Sequence, residues 1–215
     1  MFIGIDFDNT IVRYDGLMHS IASGWGLISN KGPKTKKEIR EALRSVPNGE
    51  TIWQRLQAEA YGPRILEANP APGFEEFLAF CIRLRIPVCV ISHKTEFSNL
   101  GESHVNLRTS AMNWLRHYRF KGKSFASEIG EDAIYFEATR AAKVARVGAL
   151  GVTHFIDDLE ETFADPRFPP NVEKILYAKD SPERNGDARR FSEWGEIQEY
   201  FERLTGITSH AAENH

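Results

Sequence analysis

The chain has 215 residues, 41% hydrophobic and 27% charged, with a formal net charge of −3. This suits one soluble α/β domain with a small insertion; the charge balance does not point to nucleic acid, and no apolar stretch approaches a membrane span, so neither is an expected partner. The amino terminus lacks a basic segment before its apolar run, which argues against a signal peptide, and Cys81 and Cys89 lie in apolar surroundings that suit reduced core thiols, so a cytoplasmic location is expected.

Phe2, Ile3, Ile5 and Phe7 form an apolar run without helical period, which reads as a buried strand ending in Asp6 and Asp8. If the strand continued, both acids would lean the same way. Unpaired buried charge is prohibitive, so they belong at the strand's carboxyl end, near water and a cation, where open α/β sheets bind ligands. Leu17, Ile21 and Trp25 then recur at helical spacing up to a Gly24–Gly26 break. Asn30-Lys-Gly-Pro33 is a loop. Thr35 with Glu38 spells a capping box ahead of Ile39, Ala42, Leu43 and Val46. Pro47-Asn-Gly49 ends that helix, Thr51 with Gln54 reads as a second capping box before Trp53, Leu56 and Ala60, and Gly62-Pro63 is its stop. Residues 15–69 therefore read as short helices with no strand between them, with Trp25 and Trp53 in their core. Lys31, Lys34, Lys36 and Lys37 read as a solvated helix start rather than a steering patch.

Pro70-Ala-Pro72-Gly73 marks a boundary. Phe74, Phe77, Leu78, Cys81 and Leu84 make an amphipathic helix that stops before Pro87. Pro87 to Ile91 is a second buried strand, followed directly by Ser92. A polar loop runs from His93 to about Asn106, with His93 and Lys94 facing the cleft as candidate substrate contacts. A helix carrying Met112, Trp114 and Leu115 comes next, then a Gly/Lys/Ser loop. Ala133 to Phe136 is a third strand. Thr139 to Leu150 reads as a helix stopped by Gly151. Val152 to Ile156 is a fourth strand ending in Asp157-Asp158, Val172 to Ala178 a fifth, and Ser192 to Leu204 a last amphipathic helix with Trp194, Ile197, Phe201 and Leu204 on its apolar face. His104 and His154 read as structural or surface residues.

Alternating strands and helices imply a parallel sheet. The expected architecture is an α/β, Rossmann-like three-layer core formed by residues 1–14 and 70–208, with a small α-helical cap at 15–69 and a flexible tail at 209–215. Three strands end alike: Ile5 into Asp6 and Asp8, Ile91 into Ser92, Ile156 into Asp157 and Asp158. Two like charges about 4 Å apart repel by roughly 4 kcal/mol at an effective dielectric of about 20, so such a cluster needs a cation. An all-oxygen donor set suits Mg²⁺. Lys143, near the start of its helix, can reach back toward the same edge. Metal, ammonium and hydroxyl around a carboxylate make a site for an oxyanion, with phosphate the natural candidate.

Asp6-x-Asp8-x-Thr10, a strand ending in Ser92, Lys143, and Phe155-Ile-Asp157-Asp158 resemble the four ordered motifs of the haloacid dehalogenase superfamily. The resemblance implies Mg²⁺-dependent chemistry through an aspartyl intermediate. It makes Asp6 the nucleophile and Asp8 the general acid/base, which also gives the metal its backbone carbonyl. It makes Ser92 and Lys143 phosphate-binding, Asp157 and Asp158 the residues that bind or orient the metal, and residues 15–69 the small helical cap. Thr10 joins His93 and Lys94 as a candidate substrate residue. Lys143 stands only 14 residues before Asp157, a short spacing, with Lys123 as a weaker stand-in. A proton donor at Asp8 favours a phosphate monoester over a halide as substrate. The expected activity is a phosphatase for a small phosphorylated metabolite, a sugar phosphate among the candidates. The alternatives are a non-catalytic phospholigand-binding or regulatory module, a phosphotransferase or mutase, and a dehalogenase. A receiver-like domain is disfavoured because its phosphorylated Asp ends a middle strand and it lacks a cap.

Overall fold

The computed structural model describes residues 1–98, 105–178 and 187–206. His104, part of the loop after His93, and the 209–215 tail lie outside the described residues.

Six strands form one sheet: β1 (Ile3–Ile5), β2 (Val88–His93), β3 (Ile134–Glu137), β4 (His154–Asp157), β5 (Glu173–Tyr177) and β6 (Arg189–Phe191). Their order is β6-β5-β4-β1-β2-β3, and every pairing is parallel. Ile5 pairs with Val90 on one side and with Ile156 on the other. Within this sheet, β6 is the strand that the sequence reading missed. Arg189 and Arg190 give it no apolar run, because an edge strand pairs on one side only and its arginines are held by Glu173 and Glu160.

The helices are α1 (Asp15–Gly24), α2 (Lys36–Arg44), α3 (Gly49–Tyr61), α4 (Phe74–Arg83), α5 (Leu107–His117), α6 (Phe125–Ile129), α7 (Arg140–Leu150), α8 (Glu160–Phe163) and α9 (Trp194–Thr205). Strand alternation divides the core into two layers. Val88 and Val90 join Ile3, Ile5, Ile156 and Ile175 against α4, α5 and α9, where Phe77, Trp114, Trp194 and Phe201 are buried. Cys89, Ile91, Phe155 and Leu176 face the other way, against Val144 and Val147 of α7 and Phe163 of α8. Gly4 lies beneath Phe155, where a Cβ would come within 2.8 Å of the ring. Cys81 and Cys89 are both free and buried, one in each layer, and burial pushes each thiol up to about 12.

Both ends of the helical insertion leave the core side by side, because Val12–Arg13 pairs antiparallel with Asn69–Pro70. The capping box at Thr35 and Glu38 is formed. The second one is not: α3 begins at Gly49 with Asn48 at a φ of 60°, and Gln54 donates to Glu50 instead. The chain doubles back so tightly after α2 that a Cβ on Gly49 would meet the Leu43 carbonyl oxygen at 2.0 Å, so α3 starts before Thr51. Trp53 is buried, as expected, but Trp25 is 45% exposed. Trp25, like the exposed Val46, lies past the end of its helix, so the helical period no longer aims it inward. Leu204, in the last turn of α9, is also exposed. Leu17, Ile21, Ile39 and Leu56 belong to the same apolar cluster as the sheet. Among the described residues no helix is long and apolar enough to cross a membrane.

Candidate active site

β1 lies between β4 and β2, so the residues that end these strands meet at the carboxyl edge, where the strand order reverses direction. Asp6, Ser92, Lys143 and Asp157 are all buried, none more than 4% exposed. Lys143 Nζ donates to Asp6 Oδ1 at 2.6 Å and to Asp157 Oδ2 at 2.6 Å. The short spacing before Asp157 is no obstacle. From Lys143 the helix descends about 12 Å to its Gly151 cap, at 1.5 Å per residue. The following extended segment returns about 13 Å to Asp157, at about 3.3 Å per residue. Thr139 opens the helix by accepting the Ala142 amide, and Gly151 closes it in the left-handed region. Lys123, the stand-in, is exposed and paired with Glu128.

Oxygens of Asp6, Asp157 and Asp158 lie within 4.8 Å of one another. Asp157 also accepts the Leu159 amide at 3.0 Å. Burial, resisted by Lys143 and reinforced by Asp157 and Asp8, pushes the Asp6 carboxyl up to about 7. Burial, then Asp6 and Asp157, push Asp158 well above the usual range against Lys36 and Lys143. Burial opposes the Lys143 ammonium, but Asp157 and Asp6 overcome it and hold its pKa above normal. Three carboxylates crowded around one point, two of them resisting ionisation, are a donor set that fits a hard divalent cation such as Mg²⁺.

The condition for Asp6 and Asp8 to lean the same way, a strand that continues past Asp6, is not met. β1 stops at Ile5, and the chain then turns, with the amides of Ile11 and Val12 both bonded to the Phe7 carbonyl and Asn9 at a φ of 62°. The Asp8 carboxylate accepts from Tyr14 Oη at 2.6 Å and pairs with Lys94 Nζ at 2.8 Å. It is not among the three carboxylates that crowd together at the strand edge. Burial and the Asp8 charge push the Tyr14 hydroxyl well above its ordinary pKa.

The strand-end residues also differ in detail from the sequence reading. Ser92 lies inside β2, because the pairing of His93 with Glu137 carries the strand further. Its Oγ is buried without a hydrogen-bond partner among the described residues. His93 is exposed at the strand end. Lys94 is 4% exposed, with its ammonium on Asp8 at 2.8 Å and over the rings of Phe7 and Tyr61 at 5.5 and 5.1 Å. Thr10 is fully buried, its carbonyl accepts from Trp194 Nε1 at 3.1 Å, and its Oγ1 has no partner among the described residues. Among the four lysines read as a solvated helix start, Lys31, Lys34 and Lys37 are exposed, but Lys36 is half-buried and acts on Asp158 and Asp8. Tyr14 and Tyr61 escaped the sequence reading, because no local pattern marks a tyrosine that packs or hydrogen-bonds onto a site residue.

No protein-family model and no curated protein sequence matches the chain. Solved structures do. A HAD family hydrolase from Deinococcus radiodurans R1, with bound phosphate and sodium, superposes with a TM-score of 0.54 at 15% identity, over 98% of each chain. An archaeal beta-phosphoglucomutase from Pyrococcus sp. strain ST 04 does so with a TM-score of 0.54 at 14% identity, over 95% of this chain and 100% of its own. A structure described as a predicted phosphoglycolate phosphatase from Haemophilus somnus 129PT reaches 0.51 at 12% identity, over 93% of this chain and 97% of its own. The six-stranded parallel sheet, its strand order and these superpositions together give the chain the fold of the haloacid dehalogenase superfamily.

Proposed function

We propose that the protein is a phosphatase that hydrolyses small phosphate monoesters through an aspartyl-phosphate on Asp6, with Mg²⁺ held by Asp6, Asp157, Asp158 and the Asp8 carbonyl. The observation that carries this reading is Lys143 between Asp6 and Asp157, with the Ser92 hydroxyl, on the strand next to β1, buried and without a partner among the described residues. The names of the superposing structures, hydrolases and a phosphatase among them, support it. Mg²⁺, when bound, offsets the charge of the carboxylates and of the incoming phosphoryl group.

Asp6 attacks phosphorus as the bond to the leaving oxygen breaks, and Asp8 gives that oxygen its proton. Asp8 then takes a proton from water, whose oxygen attacks the aspartyl-phosphate, releasing phosphate and restoring Asp6. Lys143 and Ser92 hold the non-bridging oxygens throughout. Small substrates fit because α2 and α3 approach this edge through Lys36 and Tyr61. The test is phosphate release from a panel of phosphorylated metabolites with and without Mg²⁺. Turnover that requires Mg²⁺ and is lost in Asp6→Asn is expected. Full activity in that variant would remove the covalent route.

A further inference from the structure

A cavity of about 480 Å³ lies against the acidic cluster, between α2 and the sheet edge; Arg13, Lys36, Lys37, Arg40 and Asp158 are among its lining residues. Its volume is within the range of about 300–1,000 Å³ usual for small-molecule sites. Asp15 also lines it but is already engaged, by the Arg13 guanidinium at 2.6 Å and the Lys36 amide at 2.8 Å. Asp158 belongs to the three-carboxylate group. Lys36 and Arg40 stand four residues apart on α2; among the described residues no carboxylate lies within ion-pair distance of Lys37 or Arg40, and Arg40 acts only at longer range, with Arg44, on Glu50. Like charges at that spacing destabilise a helix, and cations in its first turn oppose the helix dipole. Lys36 is engaged by Tyr61 and by the charges of Asp158 and Asp8, whereas the buried contacts of α2 are made by Ile39 and Leu43 and do not involve Lys37 or Arg40.

We propose that this cavity receives a second anionic group of the substrate, so that the substrate class is a phosphomonoester carrying a carboxylate or a further phosphate away from the scissile bond. The proposal rests on the phosphatase reading for its chemistry, but not for its binding site. Lys36 acts on Asp158, with its ammonium 5.7 Å from the centroid of the Tyr61 ring, and Lys37 and Arg40 line the same cavity. A substrate seated with its phosphoryl group on Asp6 would place its other end against these cations.

Two matched pairs test it: 3-phosphoglycerate against glycerol 3-phosphate, which differ by a carboxylate, and fructose 1,6-bisphosphate against fructose 6-phosphate, which differ by a phosphate. In at least one pair the more anionic member should have a kcat/KM about tenfold higher or more, as charge-assisted contacts imply. Which pair shows the gap identifies the anion. In Lys37→Gln/Arg40→Gln the gap should close, through KM, and it should narrow with added salt. Lys31→Gln, in the loop before α2, should keep it. Equal kcat/KM within both pairs, or a gap the double variant leaves intact, would overturn the subsite.

Calorimetric titration of the Asp6→Asn protein with the same pairs reads binding without turnover. Preferential binding of the more anionic members, lost with Lys37→Gln/Arg40→Gln, supports the subsite even if the native protein releases no phosphate from any substrate, an outcome that would instead sink the phosphatase reading. Equal binding within both pairs overturns the subsite whatever the enzyme turns over.

Discussion

Lys94 Nζ and Asp8 Oδ2, on residues 86 positions apart in the chain, lie 2.8 Å from each other, and the lysine side chain is 3% exposed. The ammonium also faces Phe7 and Tyr61, while Arg108 and the Glu137 carbonyl hold the Lys94 main chain. The carboxylate therefore has a fixed position, set by Lys94 on one side and Tyr14 on the other.

Removing this cation should damage both stability and turnover. Breaking a buried ion pair by deleting one partner costs about 3–5 kcal/mol. Asp8 keeps some contact with water, so Lys94→Ala should lose about 3 kcal/mol in urea unfolding, and Lys94→Met less, because its stem still packs on the two rings. Both variants should lower kcat for phosphate release more than they change KM. An unchanged kcat in Lys94→Ala would mean that Asp8 needs no such support.

Ser92→Ala should separate activity from stability. Its hydroxyl is buried and unpaired among the described residues, so its loss leaves nothing else unsatisfied. The melting temperature should hold or rise while phosphate release falls by roughly 10²–10³, as for loss of an oxyanion donor. A parallel fall in both would make Ser92 a packing residue.

Asp158→Asn should behave oppositely with and without metal. Burial and the charges of Asp6 and Asp157 make its ionised form costly. Without divalent ion the variant should melt higher than the native protein. Saturating Mg²⁺ should stabilise the native protein, by about 2.7 kcal/mol at a hundredfold excess over Kd, and the variant by less. An equal Mg²⁺ shift in both proteins would place the ion elsewhere.

His154 should contribute a pH dependence unrelated to the site. It packs edge-on to Phe201, with ring centroids 5.1 Å apart, and burial holds its pKa below the usual value despite Glu173. Folding therefore favours the neutral ring. The stability that it contributes is complete above the unfolded value of about 6.5 and is lost as pH falls through the lower folded value. Denaturant midpoints should drop less between pH 7.5 and pH 5 in His154→Phe than in the native protein; parallel curves would exclude it.

Local pattern alone placed a good deal of this protein. The apolar runs at Ile3–Ile5 and Val88–Ile91 had to be buried strands, and the Thr139 and Gly151 signals bracketed α7, because strand burial and helix capping depend on neighbours a few residues away. Once the strands were parallel, Asp6, Ser92 and Asp157 had to share one edge. Tertiary structure decided the rest. The turn at Asn9 and the pairing with Lys94 fixed the Asp8 carboxylate, and the approach of α2 half-buried Lys36 within electrostatic reach of Asp158 and Asp8. Each of those outcomes depends on a charge finding its opposite across the fold, and one-dimensional spacing carries no record of that distance.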